Sequence, residues 1–178
     1  MNIRTYRNIA PVLGARVYVD PAATVIGRVR IGDDSSIWPA AVVRGDVHSI
    51  EIGARTSIQD GSVLHVTHDG PYSPAGRSLH VGSDVTVGHR VTLHACSIGD
   101  KCLVGMGSVV LDGVVTEDFV MIGAGSVVPP GRLLATRGLY VGSPARRVRD
   151  LTQTEIDFFM YSAAQYVKLK NEYLETSV

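Results

Sequence analysis

Only two cysteines occur in 178 residues. That is too few for the disulfide framework of a small secreted scaffold, and the pair is not at a zinc-knuckle spacing. Cys96 and Cys102 are therefore expected to be free, packed thiols. Aromatic residues make up 6% of the chain, few for the core of an ordinary globular domain. Net charge is also absent, with 17 Lys plus Arg against 17 Asp plus Glu. No overall field gathers nucleic acid or holds the chain on an anionic membrane, so neither partner is expected. No uncharged run approaches the span of a bilayer, and Met1–Arg7 has no apolar core of signal-peptide length, which predicts a cytoplasmic protein. Abundant instead are glycine (19 residues), proline (8) and apolar side chains (45%): one domain with many turns, the composition of a repeat.

The repeat has a period of six. Leu13, Val19, Val25, Ile31, Ile37 and Val43 follow one another without a slip. After a short insertion come Ile52, Ile58 and Leu64, and after a longer one Val81, Val87 and Leu93. One residue is then dropped before Ile98, Val104, Val110, Thr116, Ile122 and Val128. Glycine often follows the aliphatic residue, and something small or β-branched stands four after it. Six suits neither a helix nor a long alternating strand, but it suits a short strand and a tight turn, repeated. Three hexads make a triangular coil with the aliphatic residues inside, and glycine is expected to accommodate the turn. The reading is an all-β solenoid, a parallel β-helix of about six coils stacked roughly 4.8 Å apart. The pattern is taken to stop at Pro129 and Pro130. Thr152 to Glu155 reads as a capping box, and Ile156, Phe159, Met160, Ala163 and Val167 form the stripe of a C-terminal α-helix. That helix is expected along the prism or across a neighbouring subunit, covering an end of the stack. The organisation is a β-helix domain over 1–150 and the helix over 151–178.

Counting hexads in threes turns the sequence into coordinates. The hexads at Val43, Leu64 and Leu93 share a face, and their second residues are Arg44, His65 and His94. His65 and His94 are stacked neighbours one strand apart, close enough for two imidazoles to share a metal. His89 belongs to the hexad at Val87, on another face. It can complete a three-histidine site only across a heterologous, closing interface, and three subunits closing a ring give three such sites. One coil below, Asp60 lies under His89 and Arg44 under His65. The interface that joins the histidines should therefore join Asp60 to Arg44 in an intersubunit salt bridge.

Arg-Gly-Asp at 44–46, Gln-Asp-Gly at 59–61, His65, Gly-His at 88–89 and His94 together resemble the signature of the γ-class carbonic anhydrases, closest to their bacterial YrdA-type branch. The resemblance runs from Leu13 into the C-terminal helix, and it alone supplies the left-handedness of the coils, which the usual crossover rule would not predict. It implies that His65 and His94 of one subunit and His89 of its neighbour in a homotrimer bind Zn²⁺, or Fe²⁺ or Co²⁺ in some members. It further implies that the bound metal makes hydroxide available to convert CO₂ to bicarbonate. Gln59 matches the glutamine beside the metal water, Arg44, Asp46 and Asp60 match polar residues of the interface and of the ligands' surroundings, and Tyr161 matches an active-site tyrosine. Where the family's archetype carries glutamates for proton transfer, this chain has Val47 and, in the loop from Val66 to His80, His68, a side chain able to shuttle protons near neutral pH.

Other side chains have blander readings. His48 and His80 are taken as solvated, Cys96 and Cys102 as packing, and Tyr161 and Tyr166 equally as helix packing or as catalysts. Gly-Ser-Pro-Ala-Arg at 142–146 turns the chain out of the prism. Three further functions compete with CO₂ hydration: hydrolysis of an acyl-coenzyme A thioester by the same metal hydroxide, metal-free acyl transfer, and non-catalytic binding. Three histidines at ligand spacing count against acyl transfer, whereas the missing glutamates leave a binding role open.

Overall fold

The computed structural model describes residues 2–176, which wind into a left-handed parallel β-helix followed by one α-helix. The hexads stack as the count requires. The first face carries Leu13, Ile31, Ile52, Val81, Ile98, Thr116 and Leu134, and the second carries Val19, Ile37, Ile58, Val87, Val104, Ile122 and Tyr140. The third carries Ile3, Val25, Val43, Leu64, Leu93, Val110 and Val128. These residues interlock as a single apolar column, most of them fully buried.

The stack is taller than about six coils. Leu133–Leu134 and Gly138–Gly142 continue the repeat, and Ala145–Asp150 returns antiparallel after a turn at Ser143–Pro144, completing eight strands on the second face. The prolines do not end the pattern because Pro129 and Pro130 follow Val127–Val128, the last strand of the third face. Ladder N–H groups point toward the following coil, as Leu111 donates to the Val128 carbonyl. With no further coil on that face, a missing N–H costs nothing.

Glycine serves a different purpose from the one expected. The glycines after the aliphatic residues sit where the next coil passes closest. A Cβ on Gly53 would lie 2.6 Å from the Gly82 carbonyl carbon, and one on Gly32 would lie 2.7 Å from the Ala54 nitrogen. The left-handed turn residue comes two positions later, and on the corner between the first and second faces it is never glycine: Arg16, Asp34, Arg55, Asp84 and Lys101 adopt φ between 52° and 59°. Their charges alternate up the corner. Arg16 grips Asp34 at 2.5 Å and Arg55 grips Asp84 at 2.6 Å, both through two hydrogen bonds. These bonds compensate left-handed strain at residues with a Cβ.

The helix Gln153–Thr176 starts as its capping box predicts: Thr152 N–H donates to Glu155 at 2.8 Å, and Glu155 N–H donates to the Thr152 hydroxyl at 3.3 Å. It runs along the second face and does not cover an end of the stack. Leu151, Ile156 and Phe159 pack on Leu103, Phe119, Met121 and Leu139, the Thr86 and Ser162 hydroxyls meet at 2.9 Å, and Tyr166 and Tyr173 meet Trp38 edge-on. The buried stripe is Ile156, Phe159, Ser162, Ala163 and Lys170, so Met160 faces outward and Val167 is only half-buried. Ser162 and Lys170 escape a hydrophobicity reading because their polar atoms are satisfied inside, Lys170 Nζ donating to the Arg16 carbonyl at 2.6 Å and to Asp34 at 2.9 Å. Among the described residues no helix is long and apolar enough to cross a membrane.

Candidate metal centre

Val63–His65 and Thr92–His94 are adjacent parallel strands of the third face with His94 opposite His65. Their rings meet edge to edge, His65 Nδ1 lying 3.2 Å from His94 Nε2. Each outer nitrogen is taken by a carboxylate: His65 Nε2 lies 3.1 Å from Asp46, and His94 Nδ1 lies 2.8 Å from Asp112. Both carboxylates are braced in turn, Asp46 by Arg44 and Asp112 by the Thr67 hydroxyl. Burial works to raise both carboxyl groups, but hydrogen bonds from Arg44 and His65, and from Thr67 and His94, hold them below their ordinary range. Burial also lowers His65, favouring its neutral ring against the pull of Asp46.

These contacts favour one tautomer of each ring. Carboxylates accept, so with both rings neutral the protons belong on His65 Nε2 and His94 Nδ1, and the two facing nitrogens present lone pairs. Such a pair can share one proton in an N–H···N hydrogen bond or hold a metal ion between them. Two nitrogens at ~2.0 to 2.1 Å from a tetrahedral ion stand about 3.3 Å apart, which matches the observed separation. The donor set therefore fits a divalent metal of the zinc type.

His89 follows Thr86–Val87 at the corner between the second and third faces, and its Nδ1 holds Asp60 at 2.9 Å. Asp60 thus lies one coil below His89, as the register requires. The third face carries His89 at one edge and the His65–His94 pair at the other. Among the described residues no group of three or more His, Cys, Asp or Glu lies within reach of one ion inside a single chain. In this chain Arg44 binds Asp46 and Asp60 binds His89, each pair within one protomer.

Beside His89 the second face and the helix form the walls of an open apolar cavity of about 690 Å³. Leu103, Met106, Met121, Phe158 and Leu169 line it, with Gln59, His89 and Tyr166 at the polar end. Gln59 is buried and hydrogen-bonded to Tyr166, whose hydroxyl is raised by burial and by Asp60. Tyr161 is exposed on the cavity wall, its ring 6.2 Å from Phe158. His68 is exposed in the loop, where it lines one depression with Asp46 and a second with Asp112. His48 Nδ1 accepts the Ser49 N–H, and His80 lies 3.9 Å from Glu51. Both thiols are buried, and desolvation pushes Cys96 up to about 12 and Cys102 up to about 11, as packing residues require. Sequence reasoning missed Asp112 and Thr67. The signal was present, because Leu111 stands opposite the His94 position one coil higher and Asp112 follows it at the corner.

No family profile matches the chain. Escherichia coli protein YrdA is 55% identical over 173 residues, 97% of this chain and 94% of its own length. The chain belongs to the γ-carbonic-anhydrase-like hexapeptide-repeat proteins of the YrdA type. Arabidopsis thaliana mitochondrial gamma carbonic anhydrase 1 is 40% identical over 93% of this chain, which spans 61% of the plant protein's length. A hexapeptide transferase family protein from Anaplasma phagocytophilum superposes with a TM-score of 0.89 at 36% identity, covering 96% of this chain and 97% of its own. The chain is thus similar both to a protein named a gamma carbonic anhydrase and to one named a hexapeptide transferase.

Proposed function

We propose that this protein is a metal-dependent enzyme that reversibly hydrates CO₂ to bicarbonate at sites shared between the subunits of a homotrimer. The observation that carries the reading is the facing ring nitrogens of His65 and His94, 3.2 Å apart with their outer nitrogens held by carboxylates. His89 of the next subunit supplies the third ring, since it lies at the opposite edge of the same face. Zn²⁺ held there, or Fe²⁺ or Co²⁺, would lower the pKa of water toward ~7 and so supply hydroxide at neutral pH. The chain's own residues do the rest. Asp46 and Asp112 lock the rings, Arg44 braces Asp46, and Gln59 presents a buried amide beside His89 to orient substrate. His68, exposed beside both carboxylates, passes the proton to solvent.

Metal content and CO₂ hydration, measured side by side on anaerobically and aerobically purified protein, test this. About one metal per chain, with hydration lost in His89→Ala or after chelation, is the expected result. A metal-replete trimer without hydration activity defeats it. The large apolar cavity beside His89 favours a second reading, hydrolysis of an acyl-coenzyme A thioester, because CO₂ needs no such space. A panel of acyl thioesters offered to metal-loaded protein separates the two.

A further inference from the structure

The loop between Val66 and Ser78 leaves the β-helix at the residue after His65 and returns to it at Leu79–Val81. It is an ordered arm. Thr67 and Arg77 pair as an antiparallel bridge, Gly70 and Ser73 form a second one nearer the tip, and Asp69 accepts the Ala75 N–H at 2.7 Å. Pro71 and Pro74 stiffen the tip on either side of Tyr72, which is fully exposed at 101%. A tyrosine held out on a rigid hairpin has little entropy left to lose on docking, which is the character of an interface anchor.

From this we infer that Tyr72 docks on a second copy of this chain, closing the open side of the apolar cavity beside that copy's His89. The inference rests on the shared-metal reading given above. If His89 of the next subunit binds the same ion as His65, the arm that starts at Val66 begins beside that subunit's cavity, of which His89 is one wall. The five residues that follow Thr67, ending at Tyr72, reach at most about 18 Å from the base. The surface it meets is apolar and exposed: Met106 is 58% accessible and Phe158 50%. Within its own chain Tyr72 lines only a shallow depression with other loop residues and Asp112. Each subunit would then complete its neighbour's cavity as well as its metal site.

Disulfide trapping tests the docking directly. The native thiols are buried and resist ionisation, so introduced cysteines report alone. Full-length protein carrying Tyr72→Cys and Phe158→Cys, oxidised under native conditions, should form dimers and closed trimers on non-reducing gels; Tyr72→Cys with Met106→Cys is a second pair. A control with Arg44→Cys and Asp60→Cys reports the assembly itself. Trapping in the control but in neither Tyr72 pair overturns the docking and leaves the shared-site reading standing. No trapping anywhere, in a chain that sediments as a monomer, sinks both. As a second readout, Tyr72→Ala should leave the monomer fold and its circular dichroism unchanged while weakening assembly, seen as a rise of at least about tenfold in the dissociation midpoint on dilution. An unchanged midpoint also counts against the docking.

Discussion

At the scale of single residues, the proposed metal centre depends on what stands behind its ligands. A neutral ring binds a metal through one nitrogen while the other keeps the proton, and Asp46 and Asp112 favour that state in His65 and His94. Asp112→Asn replaces an obligatory acceptor with an amide of the same shape. It should weaken metal affinity by about 10- to 100-fold in a chelator competition while changing thermal stability by little. An unchanged affinity would mean that His94 does not depend on Asp112. The adjacency of His65 and His94 and the place of Asp60 under His89 were legible from the hexad count, because the repeat converts position into geometry. The same count puts Asp112 one residue past the position above His94, but whether it turns toward that ring depends on how the corner folds.

At the scale of elements, the C-terminal helix is held at both ends by polar contacts. Its start is fixed by Thr152 and Glu155, its far end by Lys170 in contact with Asp34 and the Arg16 carbonyl. Lys170 is fully buried, so Lys170→Ala removes a donor from the Arg16 carbonyl and from the half-buried Asp34 and leaves a void, and should cost about 2 to 3 kcal/mol in denaturant unfolding. The hydrogen bond from Arg16 is the main cause that lowers Asp34 to about 2, with Lys170 contributing and burial opposing. Because its folded pKa lies below the ordinary 3.8, Asp34 contributes stability that is complete above about pH 4. That contribution fades as pH falls through about 2. Asp34→Asn should therefore flatten the acid limb of an unfolding curve between pH 4 and 2 and lower stability at pH 7. The helix and its capping box were visible in the sequence. Its true inner face was not, because Ser162 and Lys170 are buried through partners more than 70 residues away.

At the scale of the whole molecule, the proposed function turns on a face that carries His89 at one edge and the His65–His94 pair at the other. The proposed heterologous interface makes a quantitative prediction. Chains carrying His65→Ala and chains carrying His89→Ala are each inactive alone, but a sample refolded from equal amounts of both should contain about a quarter of the normal sites. Metal binding and CO₂ hydration should both recover to that level. Recovery of neither, in a mixed trimer verified by mass spectrometry, would show that the three histidines do not meet across subunits.

The period of six was enough to establish the solenoid, its faces, the buried column and the adjacency of His65 and His94, since in a regular coil sequence distance becomes spatial distance. Tertiary structure alone decided the rest. Glycine positions are set by how near the next coil passes, and the left-handed corners tolerate charged residues because the coil above or below supplies an opposite charge. The prolines after Val128 do not end the repeat because no strand lies beyond them to demand their hydrogen bonds. Each of these depends on atoms contributed by distant parts of the chain, which a local pattern does not contain.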